Sequence, residues 1–191
     1  ATERISIRNL NEHTVSLLLQ QPHRALQSKD DQIGAGVLIG IDAFDATINE
    51  GDDPSGEFIA WLGQFQWAKR MDERGSQLIF RTNVQYTNDP LFTIEQYSVG
   101  GSLSVRGYRE NTLVRDRGYD LSLEYRYPFI KDATGRSIFA LAPFIDAGGG
   151  NNNVLPNGPN PDFIYSAGIG VRWDPTTRVH AQLYWGYAFE D

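Results

Sequence analysis

The 191-residue chain is long enough for one domain with a sizeable core, and at 40% hydrophobic and 12% aromatic residues it is not a disordered sequence. A net charge of −7 argues against a large nucleic-acid footprint, which needs a basic face, and the lack of cysteine excludes disulfides and thiolate metal sites. No run of about 18 apolar residues marks a transmembrane helix, and ATERISIRNL shows no basic segment followed by an apolar run, so a membrane role falls to strands.

Taken in chain order, the first thirty residues are the least regular. Thr14–Gln20 is a strand candidate with a blurred pattern. From residue 33 on, apolar and polar residues alternate. Ile33, Ala35, Val37, Ile39, Ile41 and Ala43 share one face of Ile33–Phe44, and three glycines, Leu38 and Asp42 share the other. Ile59, Trp61, Phe65 and Trp67 alternate with Gln64 and Gln66. In Gln77–Tyr86, Leu78, Phe80, Val84 and Tyr86 alternate with Gln77, Arg81, Asn83 and Gln85. In Tyr119–Tyr127, five aromatic or leucine side chains alternate with Asp120, Ser122, Glu124 and Arg126. Ile138–Ala147, Phe163–Trp173 and Val179–Phe189 repeat the scheme. A period of two over about ten residues specifies strands with one apolar and one polar face, and no helical period competes. The chain reads as all-β, with about eight strands.

Alternation alone leaves open where the apolar face points. In a soluble sandwich or lipocalin it faces inward; in a membrane barrel it faces lipid and the polar face lines the lumen. Three features favour the membrane reading. The segments have the length a tilted strand needs to cross a bilayer. Trp61, Trp67, Tyr86, Tyr119, Tyr127, Trp173 and Tyr187 sit near segment ends, as interfacial girdles do. Long connections (45–57, 88–118, 149–162) alternate with short ones (70–75, 131–136, 174–178), as in barrels with short periplasmic turns. The long 21–32 connection breaks this rule.

Arg81, Asp120, Glu124, Arg126, Asp146 and Arg172 are expected on the lumen side, most of them as a solvated wall. Asp146 follows the apolar Phe144-Ile145, where a carboxylate wants a cation or several donors. Arg106 can supply that cation from Val105-Arg106-Gly107-Tyr108, in a loop of about thirty residues expected to lack secondary structure of its own. Gly107 permits a tight turn, and Tyr108 offers a flat body with a hydroxyl tip. The residues alone leave open an ordinary surface loop that contains RGYR.

VRGY in a long loop, then LSLEYRYPF, then PFIDAG, resembles the outer-membrane protein eighty-five (BamA/TpsB) superfamily. The likeness is nearest to the two-partner-secretion proteins of the ShlB/FhaC/HecB type. GVLIGIDAFDATIN, AWLGQFQWAKR, EQYSVGGSLSVRGYREN, LAPFIDAGGG and AGIGVRWDP follow that family in order, over most of residues 33–189. The resemblance implies an antiparallel transmembrane β-barrel of about sixteen strands, preceded by POTRA domains, in the bacterial outer membrane. Residues 1–191 would be the C-terminal part of that barrel, without the POTRA domains and the last strand. The loop at about 88–118 would fold into the lumen, where Arg106 meets Asp146 of the FxDxG motif (Phe144, Asp146, Gly148), with Glu124 as a second partner. The implied function is a pore for a large unfolded exoprotein, acting as a monomeric barrel in outer-membrane lipid without cofactor or metal. Barrel assembly is the alternative within the superfamily.

Other classes find little support. Of His13, His23 and His180, only His180 lies on a patterned strand, and no serine stands at a recognisable spacing from it for a lipid hydrolase. Asp42–Asp53 is acidic but matches no calcium-loop spacing. Arg106, Arg109, Arg115 and Arg117 form a basic cluster, which the negative total sets against nucleic acid.

Overall fold

In the computed structural model, the described residues are 4–11, 14–20, 31–40, 54, 58–154, 161–176 and 178–190, with side chains described from residue 54 onward. The acidic stretch Asp42–Asp53, most of the 45–57 and 21–32 connections, and His13 and His23 lie outside them.

Among the described residues the regular structure is all strand. There are eleven strands: β1 (Arg4–Asn11), β2 (Thr14–Gln20), β3 (Asp31–Gly40), β4 (Phe58–Arg70), β5 (Gln77–Thr87), β6 (Tyr97–Val99), β7 (Leu113–Arg115), β8 (Arg117–Lys131), β9 (Ser137–Asn151), β10 (Phe163–Trp173) and β11 (Ala181–Ala188). Seven form one antiparallel sheet in the order β11-β10-β9-β8-β5-β4-β3, a meander interrupted only where β6 and β7 intervene between β5 and β8. The sheet is open, with β3 and β11 as its end strands. A separate ladder joins β1 to β2. Sequence reasoning missed β1, because Arg4–Asn11 mixes charge and amide side chains with only two isoleucines and shows no clean apolar face.

The alternation is realised as the membrane reading expects, with the apolar face outward. Along β8 the even positions Asp120, Ser122 and Glu124 are buried, while Tyr119 and Leu121 on the other face are exposed. Trp61 (60%), Trp185 (65%) and Leu183 (76%) stand open, whereas Glu124 is 0% and Asp146 3% exposed. A soluble sheet places these groups the other way round. An apolar face this continuous is suited to lipid, with the polar face turned to a lumen. Aromatic residues gather at both ends of the apolar band. Phe163, Tyr165 and Phe189 stack at the long-loop end, and Phe139 stacks on Trp173 at the short-turn end. Phe163 to Trp173 spans ten residue steps, about 33 Å of strand, which at the usual tilt covers the ~25 Å apolar height of a membrane barrel.

The segment between β5 and β8 folds back over the polar face of the sheet. It is not a structureless loop as expected. Tyr97–Val99 pairs with Leu113–Arg115 to make a small hairpin, and Val99, Val105 and Leu113 bury themselves with Ile164 of β10, flanked by Tyr97 and Tyr108. A second small cluster joins Leu91 to Phe58, Ala60 and Leu62 of β4. These strands are only three residues long, so no period could announce them in the sequence.

Candidate functional site: the loop tip on the polar wall

The register of the sheet assembles the wall. Ser122 of β8 pairs with Asp146 of β9, and Asp146 with Ser166 of β10. One row nearer the short turns, Glu124 pairs with Phe144, Phe144 with Gly168, and Gly168 with Gly186 of β11. Residues paired across a ladder share a face. Two carboxylates, an aromatic ring and a pair of glycines therefore form one small area of wall.

Val105, Arg106, Gly107 and Tyr108 rest on that area. Arg106 Nε donates to Asp146 Oδ2 at 2.7 Å and Nη2 to Asp146 Oδ1 at 2.8 Å, the two-pronged geometry a guanidinium offers a carboxylate. Its backbone N–H reaches Asp146 Oδ2 at 3.1 Å. Nη1 donates to Glu124 Oε2 at 2.6 Å, and Nη2 also to Ser122 Oγ at 3.1 Å. The guanidinium lies 3.6 Å from the Phe144 ring centroid and 4.8 Å from that of Tyr184. Charge, hydrogen bonds and ring faces thus converge on one cation, which is the condition under which a buried charge is tolerated. Burial works against the Arg106 charge, but the bonds to Asp146 and then Glu124 outweigh it and raise its pKa above the ordinary value.

Glycine makes the close approach possible. Gly107 has φ +98°, which a side chain would strain. A methyl group on Gly186 would stand 2.9 Å from the Arg106 carbonyl oxygen and 3.0 Å from Gly107 N, both backbone atoms that cannot swing away. Gly148 admits Val99 and Val105 in the same manner. The Tyr108 hydroxyl donates to the Tyr165 carbonyl at 3.0 Å and accepts from Glu190 N at 2.8 Å, tying the tip to β10 and to the chain two residues past the end of β11.

Contacts that sequence reasoning missed hold the rest of the loop. Tyr97 donates to Asp120, which also accepts from Asn83 Nδ2 at 3.0 Å. Burial first, and then the Asp120 bond, push the Tyr97 hydroxyl pKa upward. Asp116 is 2% exposed and accepts from Leu91 N (3.0 Å), Gln96 Nε2 (2.9 Å) and Asn153 N (2.8 Å). Asn153 Nδ2 in turn donates to the carbonyls of Thr87 and Asp89 at 3.2 and 2.8 Å. Both ends of the loop are thereby clasped to the β9–β10 connection. Asp116 and Asn153 carry no motif, and the signal that existed was weaker: glycines at 168 and 186 inside strands mark close backbone approach.

The remaining wall charges divide. Arg126 Nε donates to Glu124 Oε1 at 2.6 Å, and Arg81 stands 4.0 Å from Glu124 Oε2. Arg172 donates to Gln182 Oε1 at 2.9 Å and the Tyr184 hydroxyl at 3.4 Å. His180 is exposed beside β11, with Nδ1 2.6 Å from Asp174 Oδ1. Among the described residues no group of histidines and carboxylates could hold a metal ion.

Comparison with known proteins gives the architecture its context. BamA from Haemophilus ducreyi lacking POTRA domains 1–3 superposes with a TM-score of 0.65 at 14% identity, over 93% of this chain and 38% of that one. CdiB from Escherichia coli superposes with a TM-score of 0.68 at 17% identity, over 94% of this chain and 34% of that one. The chain thus spans little more than a third of each structure, and at these identities the likeness is one of fold: an antiparallel transmembrane β-barrel. No curated protein sequence matches it. The family model described as haemolysin secretion/activation protein ShlB/FhaC/HecB matches residues 2–173. A polar wall under a folded-back loop, an apolar exterior and this match lead to one conclusion: the chain belongs to the ShlB/FhaC/HecB family of bacterial outer-membrane β-barrel proteins.

Proposed function

We propose that the protein is the outer-membrane pore of a two-partner secretion system, passing a large unfolded exoprotein outward. The family description supports secretion. The observation that carries the reading is the Arg106 tip seated on the polar wall by two carboxylates that are fully buried beneath it. In this reading the chain is part of a barrel of about sixteen strands, and the segment between β5 and β8 occupies the lumen at rest. Val105, Arg106, Gly107 and Tyr108 are its anchor, and Asp146, Glu124, Phe144 and Gly148 the receiving wall.

Transport needs no covalent chemistry at the barrel. POTRA domains hold the extended cargo at the periplasmic mouth, the Gln, Asn, Ser and charged side chains of the inner face keep its path wet, and folding outside draws it out. The seated tip sets the resting conformation, so that the loop must shift for cargo to pass. In the test, Arg106→Ala impairs secretion while the barrel remains inserted in the outer membrane. Normal secretion by that variant counts directly against the anchor.

The fold shared with BamA supports a second reading, insertion of other barrels. Depletion separates the two. Loss of one exoprotein from the medium with unchanged outer-membrane composition favours secretion, and loss of many outer-membrane barrels favours assembly.

A further inference from the structure

We propose that Arg81, Arg126 and Arg172 form a carboxylate-binding surface on the pore wall, running from beside the loop tip toward the short turns, which receives acidic stretches of the extended chain in transit. The proposal rests on the pore reading above and adds a chemical preference to it.

Position comes from the ladder. Arg81 lies four residues into β5 from the short turn at 71–76, Arg126 five residues before the end of β8, and Arg172 next to last in β10. Arg126 and Arg172 are therefore nearer the short turns than the row holding Asp146, whereas Arg81 pairs with Ser122 and stands in that row. They line one open cavity of about 450 Å³ against the tip, together with Arg106, Gln182, Tyr184 and the loop residue Glu110. Cargo entering from the periplasm meets Arg172 and Arg126 before it reaches the row of the tip.

The guanidiniums there are unevenly partnered. Among the described residues near the tip, the wall carboxylates Asp120, Asp146 and Glu124 face four guanidiniums, and Asp120 is bonded by Tyr97 and Asn83. Arg106 takes both oxygens of Asp146 and one oxygen of Glu124. The other Glu124 oxygen accepts from Arg126 and Tyr184. Arg81 is left 4.0 Å from a carboxylate already engaged, with 41% of its side chain exposed. Arg172 donates only to the neutral Gln182 and Tyr184 oxygens. Across the cavity, Glu110 Oε1 accepts from the Ser102 amide and hydroxyl. Arg81 and Arg172 thus present planar donor forks that make no hydrogen bond to a carboxylate among the described residues. A carboxylate on a passing side chain is the complementary group. The surface is open and wet, so contact is brief and repeated, which is suitable for a path that must not trap its cargo.

The experiment uses the full-length protein in planar lipid bilayers. Soluble extended peptides of alternating Glu and Ser, or Lys and Ser, are added on the side of the short turns, and block of single-channel current is read. The wild type is expected to be blocked by the acidic peptide at about one-tenth the concentration needed for the basic one, or less. Arg81→Gln with Arg172→Gln should bring the two concentrations within about twofold, and Arg81→Lys with Arg172→Lys should keep the preference. Arg126 is left intact because it holds Glu124. Equal block of the wild type by both peptides, or a preference unchanged in the glutamine variant, overturns the inference. Absence of channels in the wild type would instead count against the pore reading itself.

Discussion

Arg106→Ala removes four side-chain hydrogen bonds, two to Asp146 and one each to Glu124 and Ser122, and uncovers the Phe144 ring. The loss is uneven. Glu124 keeps Arg126 and Tyr184. Asp146, whose side chain is 0% exposed, keeps only the residue-106 amide of the bonds to the tip. Breaking one side of a buried pair costs about 3–5 kcal/mol. The low end applies, because Glu124 retains a cation and lumen water can enter the vacated space. About 3 kcal/mol lowers the ratio of seated to unseated tip by roughly 150-fold. The chain has no cysteine, so Val105→Cys, at a position fully buried behind the tip, can report unseating through its rate of modification by a water-soluble thiol reagent. Labelling follows the open fraction when seating is fast. We expect Val105→Cys/Arg106→Ala to label about 100-fold faster than Val105→Cys alone, with the barrel still inserted. Adding Asp146→Asn should recover part of the difference, because the orphaned charge is gone. A change of less than about threefold would refute the reasoning and place the anchor elsewhere.

Three further perturbations separate charge, shape and stem. Gly186→Ala adds no charge but drives a methyl into the Arg106 and Gly107 backbone, and should raise the same labelling rate and reduce secretion. Asp116→Asn presents an amide N–H₂ where Asp116 now accepts from two backbone amides and Gln96, losing about 1.5–3 kcal/mol locally. Proteolysis at residues 88–97 should then rise while labelling behind the tip stays near wild type. In the exposed turn 132–136, Asp132 accepts from the Thr134 hydroxyl and the Thr134 and Arg136 amides, and these bonds, led by the hydroxyl, hold its pKa below the ordinary value. A depressed carboxylate pKa stabilises the turn above the unfolded value and loses that effect as pH falls through the folded one. Amide protection at Thr134 and Arg136, corrected for intrinsic exchange, should therefore persist from neutral pH to below about 3.9, and Asp132→Ala should lose it throughout.

The sheet was legible because its rule is local. Tyr119–Tyr127 declares two faces by side chain alone, and the structure extends the strand to Arg117–Lys131 with the same face outward. Which face met lipid was not local; the aromatic ends and loop lengths favoured one answer. The hairpin inside the long loop could not be read, since three-residue strands are fixed by Ile164, Gly148 and Gly118 on a distant wall. At the tip, the residues supplied a cation and a carboxylate in need of partners, while the resemblance supplied the pairing. Tyr184 under the guanidinium and Asn153 at the stem depend on register across three ladders, which sequence spacing does not encode.

The small hairpin has a mechanical consequence. Three of the four side chains in its apolar knot belong to the segment itself, and only Ile164 belongs to the strands behind it. The segment can therefore swing aside with its own packing almost whole, as a stopper on a tether rather than a thread that must melt and re-form. On the pore reading proposed above, each reset after a cargo has passed would then require one docking event and no refolding.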